Sequence, residues 1–269
     1  MRLNKKYGPW AVVTGASSGL GEQFALQLAH EGENVVLVAR REDRLQALAE
    51  RCRAAGGVDA NVLPLDLEKP GAVESLDAET AALDVGLFVD NAGFGYMGKM
   101  IGQDPDRLAR MIYLNCTVAL LTAQRFARRF KARGGGGIIV SASLAGFQAT
   151  PNMAAYGATK GFDLLFSEGL ADELRGTGVD VLALCPGSTA TEFGKVAGSK
   201  SGGQGGMRPE PVVAEALRTL GRKDVVVTGL ANKLVAHLVG PLLPRRFVTS
   251  MSGRAIGRMV PRDAEGPEV

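Results

Sequence analysis

The chain of 269 residues has few of the residues that build disulfide frameworks or metal sites. Its three cysteines, Cys52, Cys116 and Cys185, are widely spaced and include no Cys-x-x-Cys pair. Free thiols of this kind are typical of a reducing compartment, so we expect a cytoplasmic protein. The only histidines, His30 and His237, are not close in sequence to cysteines or carboxylates at metal-ligand spacing. No metal site is therefore expected.

Other absences argue against a membrane span, a signal peptide and a nucleic-acid partner. No uninterrupted apolar run approaches the ~20 residues that a spanning helix needs, and no apolar segment follows the basic N-terminal residues. The formal net charge of +3 is too small to indicate nucleic-acid binding. The composition, 46% hydrophobic and 22% charged, is typical of a globular protein. The length suits a single domain over residues 1–269.

Short apolar strands alternate with helix-length segments. We predict seven strands, at Ala11–Thr14, Asn34–Ala39, Asn61–Leu65, Gly86–Val89, Ile138–Ser141, Val179–Leu184 and Val225–Thr228. The longer patterns predict helices at Gly21–Glu31, Arg44–Ala54, Pro105–Arg133 and Tyr156–Arg175. Nearly continuous apolar strands indicate a parallel sheet that is buried on both faces. The expected fold is a Rossmann-like, doubly wound α/β sheet, which binds ligands beyond the carboxyl ends of its strands.

Two segments depart from this alternation. Residues 192–209 are rich in glycine, serine and lysine, and form either a surface insertion or a mobile lid. The lid is the preferred interpretation, because function concentrates on that edge of the sheet. Residues 229–262 carry six basic residues and no acidic one. This basic segment could cover a substrate pocket, contact an acidic carrier or CoA phosphates, lie on anionic lipid, or act as an oligomer-contact or capping helix.

A glycine-rich turn directly follows the first predicted strand and opens the first helix. Glycines let backbone N–H groups approach a phosphate, and the helix N-terminus adds the positive end of its dipole. Any strand-to-helix turn can use glycine, but the position at the first such turn favours a dinucleotide site. The residues that we assign to this site are Gly15, Ser17, Ser18, Gly19, Leu20 and Gly21.

The end of the second strand indicates which dinucleotide binds. NAD-specific sites usually have an acidic residue about 20 positions after the glycines, whereas arginine favours the 2′-phosphate of NADP. Here the strand ends in Arg40 and Arg41, and a planar guanidinium suits phosphate. The two arginines could instead only solvate a helix start, or be neutralised by Glu42 and Asp43. We predict NADPH/NADP⁺ as the cofactor.

Polar or small residues also follow the third and fourth strands. Asp66, which precedes Leu67, could accept a hydrogen bond from the adenine amine or could cap the following helix. The segment Asn91-Ala92-Gly93 could pass close to the cofactor or could form only a turn. We include both segments in the predicted cofactor site.

Tyr156 and Lys160 are four residues apart near the start of a predicted helix, so both project from one face. A free phenol has a pKa of about 10, and a nearby ammonium lowers it. A tuned tyrosine can supply the proton that an alkoxide needs as hydride adds to a carbonyl. The same spacing occurs on solvated helix faces, but Ser143 ends the fifth strand and Asn115 lies in mid-helix, where an amide needs a specific partner.

Together these segments, with Pro186-Gly187 and the Thr191 that follows, resemble the short-chain dehydrogenase/reductase family over about residues 8–195. The resemblance implies that Tyr156 exchanges the proton, while Lys160 binds the nicotinamide ribose and lowers the tyrosine pKa. Ser143 would orient the carbonyl, and Asn115 would hold a proton-relaying water.

The loop after the sixth strand completes the implied site. By resemblance, Pro186 and Gly187 wall the nicotinamide and Thr191 contacts its carboxamide, with Thr189 in the same loop. Asp90 departs from the family, which often has a second asparagine there. Ser188-Thr189 also varies the loop, but neither departure removes a group that the reaction needs.

The C-terminal segment resembles those of 3-oxoacyl thioester and hydroxysteroid reductases of the family. We therefore predict an NADPH-dependent carbonyl reductase or alcohol dehydrogenase acting on a hydrophobic ketone, with Phe94, Phe147 and Met153 near its pocket. The resemblance also suggests a homodimer or homotetramer built partly from the helices of Asn115 and Tyr156. The alternatives are a non-catalytic NADP(H) sensor or partner-binding protein, and a peripheral membrane reductase anchored through the basic segment.

Overall fold

Seven strands form a central parallel sheet. The protein is represented by a computed structural model that describes residues 3–261. The strands are β1 (Trp10–Thr14), β2 (Asn34–Ala39), β3 (Ala60–Pro64), β4 (Val85–Asp90), β5 (Gly136–Ser141), β6 (Val179–Cys185) and β7 (Val225–Val227). Their order across the sheet is β3-β2-β1-β4-β5-β6-β7, with every neighbouring pair parallel. The predicted doubly wound fold is confirmed, and the strand order reverses between β1 and β4.

Helices connect the strands and cover both faces of the sheet. They are α1 (Leu3–Lys6), α2 (Gly19–His30), α3 (Glu42–Gly56), α4 (Ala72–Glu79), α5 (Pro105–Ile112), α6 (Ala119–Arg133), α7 (Ala154–Glu173), α8 (Phe193–Ala197), α9 (Pro209–Thr219), α10 (Leu230–Leu234), α11 (Gly240–Leu242) and α12 (Arg245–Gly257). Short 3₁₀ turns occur at Met100–Gly102 and Leu144–Phe147. Two π-helical turns, Tyr113–Val118 and Val235–Val239, join α5 to α6 and α10 to α11.

Two apolar layers hold the helices against the sheet. Successive residues of β2 point to opposite faces, so that Leu37 packs with Phe24 of α2 while Val38 packs in the layer of α6. In that second layer, Phe88 of β4 stacks on Phe126 of α6 with ring centroids 4.1 Å apart. Burial on both faces explains why the strands are nearly continuous apolar runs.

The π-helical turn between α5 and α6 is the main departure from the predicted elements. The apolar pattern predicted one helix over Pro105–Arg133, whereas the structure inserts Tyr113–Val118 between two α-helices. A π-helical turn adds a residue to the repeat and often marks a functional site, and Asn115 lies within this one. The other predicted helix and strand ends differ from the observed ones by at most two residues, the usual uncertainty of such limits.

Residues 192–209 contain the short helix α8 and are tied to two other parts of the chain. The N–H of Met97 donates to the Ala197 carbonyl (2.8 Å), and the N–H of Lys200 donates to the Met259 carbonyl (2.8 Å). The segment is therefore more structured than a simple surface insertion. Its mobility stays a prediction.

The basic segment is mostly helical in its described part, since α10, α11 and α12 fall within it. Lys233 pairs with Glu215 of α9 (2.8 Å), which neutralises one of the basic residues. Arg262, the last of the six, lies outside the described residues.

Glu33, just before β2, is a buried acid with no partner for its carboxylate in the described part of the chain. It is 1% exposed, and neither carboxylate oxygen has a hydrogen-bond partner there. Burial, with a smaller contribution from Glu31, raises the pKa of Glu33 to about 8. Between the ordinary pKa and this value the folded state binds more protons than the unfolded state. Stability therefore falls as the pH rises through that window.

We expect Glu33→Gln to raise the free energy of unfolding by about 1–3 kcal/mol at pH 8. Each unit of pKa shift corresponds to about 1.36 kcal/mol, and the expected gain is smaller than the full shift would give. The gain should shrink toward pH 4.5, where the parent carboxyl is protonated in the folded state and about half protonated in the unfolded state. Urea unfolding at several pH values measures this difference. Glu79→Gln, at an exposed position of α4, is the matched control. A gain independent of pH would contradict the assigned titration.

Candidate active site

The glycine-rich turn lies between β1 and α2, at the point where the strand order reverses. Gly19 begins α2 with a φ of +61°, a conformation that favours glycine. A Cβ on Gly21 would lie 2.3 Å from the Gly15 carbonyl oxygen, so a larger residue would displace the turn. Ser17 and Ser18 directly precede the helix. The turn thus offers the helix N-terminus that a dinucleotide pyrophosphate requires.

Arg41 lies against this turn. Its Nη2 donates to Ser17 Oγ (2.9 Å) and Ser18 Oγ (3.2 Å), and its Nη1 pairs with Glu192 (3.0 Å). Glu192 also accepts a hydrogen bond from Arg44 (2.8 Å), and the two arginines lower the pKa of its carboxyl. The structure therefore brings an arginine to the edge of the predicted phosphate turn, together with an acid that the sequence analysis missed.

Arg40 points to a different partner. It pairs with Glu68 (3.1 Å), so Glu192 and Glu68, rather than Glu42 and Asp43, are the acids paired with the two arginines. Both lie far along the chain from Arg40 and Arg41, and no local pattern could have indicated them.

Asp66 and Leu67 occupy the turn after β3. Asp66 Oδ1 accepts a hydrogen bond from the N–H of Glu68 (3.1 Å), so its carboxylate closes this turn. Leu67 is buried in the apolar layer of α6. Asp66 therefore closes a turn and does not cap α4, whose N-cap residue is Gly71. The adenine contact stays a prediction.

Thr14 joins the carboxyl ends of β1 and β4. Its Oγ1 accepts hydrogen bonds from the N–H groups of Asn91 (2.9 Å) and Ala92 (3.0 Å). Asn91 Nδ2 donates back to the Thr14 carbonyl (3.2 Å), and its Oδ1 accepts from Ser141 Oγ at the end of β5 (3.2 Å). The Asn91 side chain therefore holds three strand ends together.

Tyr156 is buried near the start of α7, with an exposed fraction of 8%. The Ser143 hydroxyl lies close enough to lower the pKa of Tyr156, and it accepts a hydrogen bond from the N–H of Ala145 (3.1 Å). The Phe193 ring lies 5.2 Å from the tyrosine ring, centroid to centroid. This burial excludes the interpretation of Tyr156 and Lys160 as a solvated helix face.

Lys160 is also 8% exposed and is fixed by two contacts. Its Nζ donates to the Ser141 carbonyl (2.7 Å) and to Asp163 Oδ2 (2.9 Å), and lies 6.0 Å from the centroid of the Tyr156 ring. Burial alone would lower the pKa of Lys160, but Asp163, Tyr156 and Asp90 outweigh it and raise that pKa. Lys160 is therefore a stable, positioned cation beside the tyrosine.

The pKa of Tyr156 itself is raised. Burial has the largest effect, and the charge of Lys160 and the hydroxyl of Ser143, which lower the pKa, offset only part of it. The expected sign of the lysine effect is present, but a net lowering is not, partly because Asp163 opposes it. The sequence analysis missed Asp163, although its spacing of three residues from Lys160 places it on the same helix face.

Asn115 contacts the loop after β4. Its Oδ1 accepts from the N–H of Phe94 (3.1 Å), and its Nδ2 donates to the Phe94 carbonyl (3.0 Å) and to Thr159 Oγ1 (3.1 Å). A Cβ on Gly93 would lie 2.9 Å from Asn115 Oδ1 and 3.8 Å from Lys160 Nζ, which requires a small residue there. The Asn115 side chain thus positions this loop against α7, and its water relay stays a prediction.

The loop after β6 lies against the glycine turn. A Cβ on Gly19 would lie 3.0 Å from Thr191 Cβ, and a Cβ on Gly187 would lie 2.3 Å from Asn232 Nδ2. The Pro186 carbonyl accepts from the N–H of Leu144 (2.9 Å), which ties this loop to the strand end of Ser143.

The same loop is braced at its far side. Thr189 Oγ1 donates to the Gly187 carbonyl (3.1 Å), and Thr189 forms an isolated β-bridge with Met207. Pro186, Gly187, Thr189 and Thr191 therefore lie in one braced loop at the carboxyl end of β6, while their contacts with the nicotinamide stay predictions.

An apolar cluster surrounds Tyr156. It includes Met153 and Phe94, Phe193 and Ala197 of residues 192–209, and Ile256, Met259 and Val260 of the basic segment. The remaining large members are Tyr96, Met97, Leu108 and Met111. Phe147, which we expected here, instead packs in another cluster with its ring 6.1 Å from His237. The end of the basic segment thus contributes to the apolar surroundings of the tyrosine.

Among residues 3–261, no helix combines the length and apolarity required to traverse a bilayer. Over the same residues, no three His, Cys, Asp or Glu side chains are grouped so that they could hold a metal ion.

Comparison with known proteins identifies relatives along most of the chain. A 7β-hydroxysteroid dehydrogenase of Collinsella aerofaciens is 35% identical over 244 residues, which span 88% of this chain and 92% of the relative. A very-long-chain 3-oxoacyl-CoA reductase of Podospora anserina is 37% identical over 201 residues, 73% of this chain and 59% of the relative. Both relatives are named for activities at a hydroxyl or carbonyl group.

A solved structure and a family model agree with these relatives. A short-chain dehydrogenase from Sphingobium yanoikuyae in complex with NADPH matches with a TM-score of 0.78 and 30% identity, over 97% of this chain and 98% of that one. The family model described as short chain dehydrogenase matches residues 9–201. The chain therefore belongs to the short-chain dehydrogenase/reductase family and is an oxidoreductase acting on CH–OH or C=O groups.

Proposed function

We propose that this enzyme is an NADPH-dependent reductase of hydrophobic ketones, or a dehydrogenase that oxidises the corresponding alcohols with NADP⁺. Tyr156 is the proton-exchanging residue in either direction. The observation that carries the proposal is the cluster of the buried Tyr156 and Lys160 with the half-buried Ser143 at the carboxyl edge of the sheet. Bound NADPH supplies the hydride. Tyr156 gives a proton to the substrate oxygen, Ser143 orients that oxygen, and Lys160 stabilises the phenolate that remains.

NADPH is favoured over NADH by Arg41 and its surroundings. The guanidinium contacts both serines of the phosphate turn, so a 2′-phosphate near the turn would meet a positive group that is already oriented. Arg44 adds a second charge through the shared Glu192. No acidic residue stands at the end of β2, where an NAD-specific site would need one.

The apolar cluster around Tyr156 supports a hydrophobic substrate. Met153, Phe94 and Phe193 offer apolar surface next to the phenol, and residues of 192–209 and of the basic segment pack into the same cluster. Ile256, Met259 and Val260 of the basic segment belong to this cluster. Among the roles considered for the segment, these contacts support the one in which it covers the substrate site. A bulky steroid or a 3-oxoacyl chain suits such surroundings better than a small polar ketone.

A basic cleft next to this cluster favours a substrate with an anionic end. The open cleft has a volume of about 570 Å³. It is lined by Asn152, which precedes Met153 of the cluster, and by Arg245, Arg246 and Arg254. A carboxylate or the phosphates of a CoA thioester would find three guanidinium groups there.

The test is NADPH oxidation by the purified enzyme with 3-oxoacyl-CoA thioesters, oxosteroids with and without a side-chain carboxylate, and small diketones. We expect turnover with a bulky ketone and a lower KM for the carboxylated member of a matched steroid pair. Rapid turnover of small polar ketones, with none of the bulky ones, would contradict the substrate assignment.

We further propose a homodimer or homotetramer that uses α6 and α7. Phe162 (38% exposed), Leu165 (70%) and Leu121 (37%) are large apolar side chains at the surface of these helices. Their exposure is typical of an interaction face.

The buried and half-buried unpaired cysteines are consistent with the cytoplasmic location that we propose.

Leu165→Glu is expected to reduce the molar mass in solution to that of a monomer, because it places a charge on this apolar face. Light scattering coupled to size-exclusion chromatography measures the mass. Leu230→Glu is the matched control, since Leu230 is 82% exposed but lies on α10. Loss of the oligomer in the control alone would place the interface on the basic segment instead.

A sensor that binds NADP(H) without turnover is the competing proposal. A sensor needs the glycine turn and Arg41 but gains nothing from a serine hydroxyl and a buried ammonium around a buried phenol. The family membership and the named activities of the relatives favour the enzyme.

A further inference from the structure

Two buried acids interact with Lys160, and the reaction has no stated use for either of them. Asp163 is 1% exposed and belongs to α7, and Asp90 is 5% exposed at the end of β4. Asp90 pairs in register with Val140, next to Ser141, whose carbonyl binds Lys160 Nζ. The ammonium, the two carboxyls and the phenol therefore form one buried electrostatic cluster.

Each acid has one oxygen engaged and one without a partner. Asp163 Oδ2 binds Lys160 Nζ (2.9 Å), and Asp90 Oδ1 accepts from Thr14 Oγ1 (3.3 Å). Among residues 3–261, Asp163 Oδ1 and Asp90 Oδ2 are buried and accept no well-formed hydrogen bond, although the nearby Thr122 hydroxyl lowers the pKa of Asp90 slightly. Keeping both carboxyls ionised would cost free energy, because each has a buried oxygen without a well-formed hydrogen bond and the single ammonium compensates only one negative charge.

We propose that Asp90 and Asp163 hold one proton between them and thereby set how much of the Lys160 charge acts on Tyr156. With the proton present, the cluster of Lys160 and the two acids is neutral. When the proton leaves, the added negative charge opposes the lysine and disfavours the phenolate. The acids thus act through Lys160 as positioning residues, and this inference rests on the proposed role of Tyr156.

The electrostatic interactions agree with this arrangement. Burial, followed by the charge of Asp163, raises the pKa of Asp90 to about 7, so the pair titrates in the physiological range. Burial also raises the pKa of Asp163, although Lys160 opposes that effect. The other titratable neighbours are Cys116 of the π-helical turn and Cys185 of β6, and burial raises the pKa of both thiols, which stay neutral.

The first test is the pH dependence of kcat/KM for alcohol oxidation, which requires the ionised tyrosine. Asp163→Asn removes the charge that opposes Lys160, so the apparent pKa should fall by about 1–2 units. Asp90→Asn should remove an inflection near pH 7 that the parent shows, because Asp90 is the group assigned to it. Asp163→Glu, which keeps the carboxylate, should restore a profile close to that of the parent.

Asp172→Asn is the matched control, since Asp172 is an exposed acid of the same helix that pairs with Arg175. Its profile should equal that of the parent. Unchanged profiles in both Asp90→Asn and Asp163→Asn, with Tyr156→Phe inactive, would overturn this inference and leave the proposed function intact. An active Tyr156→Phe would overturn the proposed function itself.

A second test does not depend on activity. Infrared difference spectra between pH 6 and pH 8 report the carbonyl band of protonated carboxylic acids. All spectra are recorded in the Glu33→Gln variant, because Glu33 is another buried acid with a raised pKa. We expect a titrating band in this background and its loss in both added variants, Asp90→Asn and Asp163→Asn. A band that survives in both would show that the proton lies elsewhere and would overturn the proposal.

Discussion

Tyr156→Phe is expected to lower kcat by ~10²–10⁴-fold, the range typical of a general acid or base, while NADPH affinity stays within about twofold. The phenylalanine keeps the buried ring and its contact with Phe193 but removes the hydroxyl that exchanges the proton in the proposed mechanism. Steady-state kinetics with a turned-over ketone, and fluorescence titration with NADPH, measure the two quantities.

Tyr113→Phe is the control for loss of a hydroxyl, because Tyr113 lies in the π-helical turn and packs in the layer of α6. It should retain nearly full activity. A Tyr156→Phe enzyme with more than a tenth of the parent kcat would remove Tyr156 from the chemistry, and a parallel loss of NADPH binding would indicate a structural role instead.

Arg41→Ala is expected to lower kcat/KM for NADPH by about 10- to 100-fold and to leave kcat/KM for NADH nearly unchanged. The size follows from hydrogen bonds to a charged group, worth about 1.5–3 kcal/mol, at 1.4 kcal/mol per tenfold change. The physical reason is that the guanidinium already faces Ser17 and Ser18 of the turn, where a 2′-phosphate would approach. Initial rates with each cofactor give the ratio.

Arg40→Ala tests whether the effect belongs to Arg41 alone. The Arg40 side chain is 65% exposed and pairs with Glu68, away from the serines, so we expect a smaller loss of NADPH preference. Equal losses with NADH and NADPH in Arg41→Ala would mean that this arginine supports the turn rather than selecting the cofactor.

Much of the fold could be predicted because local pattern and tertiary environment agree. The strands are buried on both faces, so their apolar runs identify them directly, and the glycine turn is defined by backbone contacts that only glycine permits. The positions of Tyr156, Lys160 and Ser143 also follow from short-range spacing on a helix and at a strand end. The assignment of these elements required no distant contact.

What could not be predicted depends on contacts between distant parts of the chain. Glu192 reaches Arg41 across 151 positions, and no local signal connects them. Phe147 and Phe94 are equally apolar in sequence, yet they pack in different clusters. The net effect on the pKa of Tyr156 required knowing that burial and Asp163 oppose Lys160.

The most direct test of hydride transfer uses NADPH carrying deuterium at the transferred position of C4, with mass spectrometry of the alcohol formed from a bulky ketone. The account predicts one deuterium at the new carbinol carbon, and an initial rate of product formation lower by ~10²–10⁴-fold with Tyr156→Phe under the same conditions. An alcohol without deuterium, or no NADPH consumption with any ketone of the panel, would contradict it.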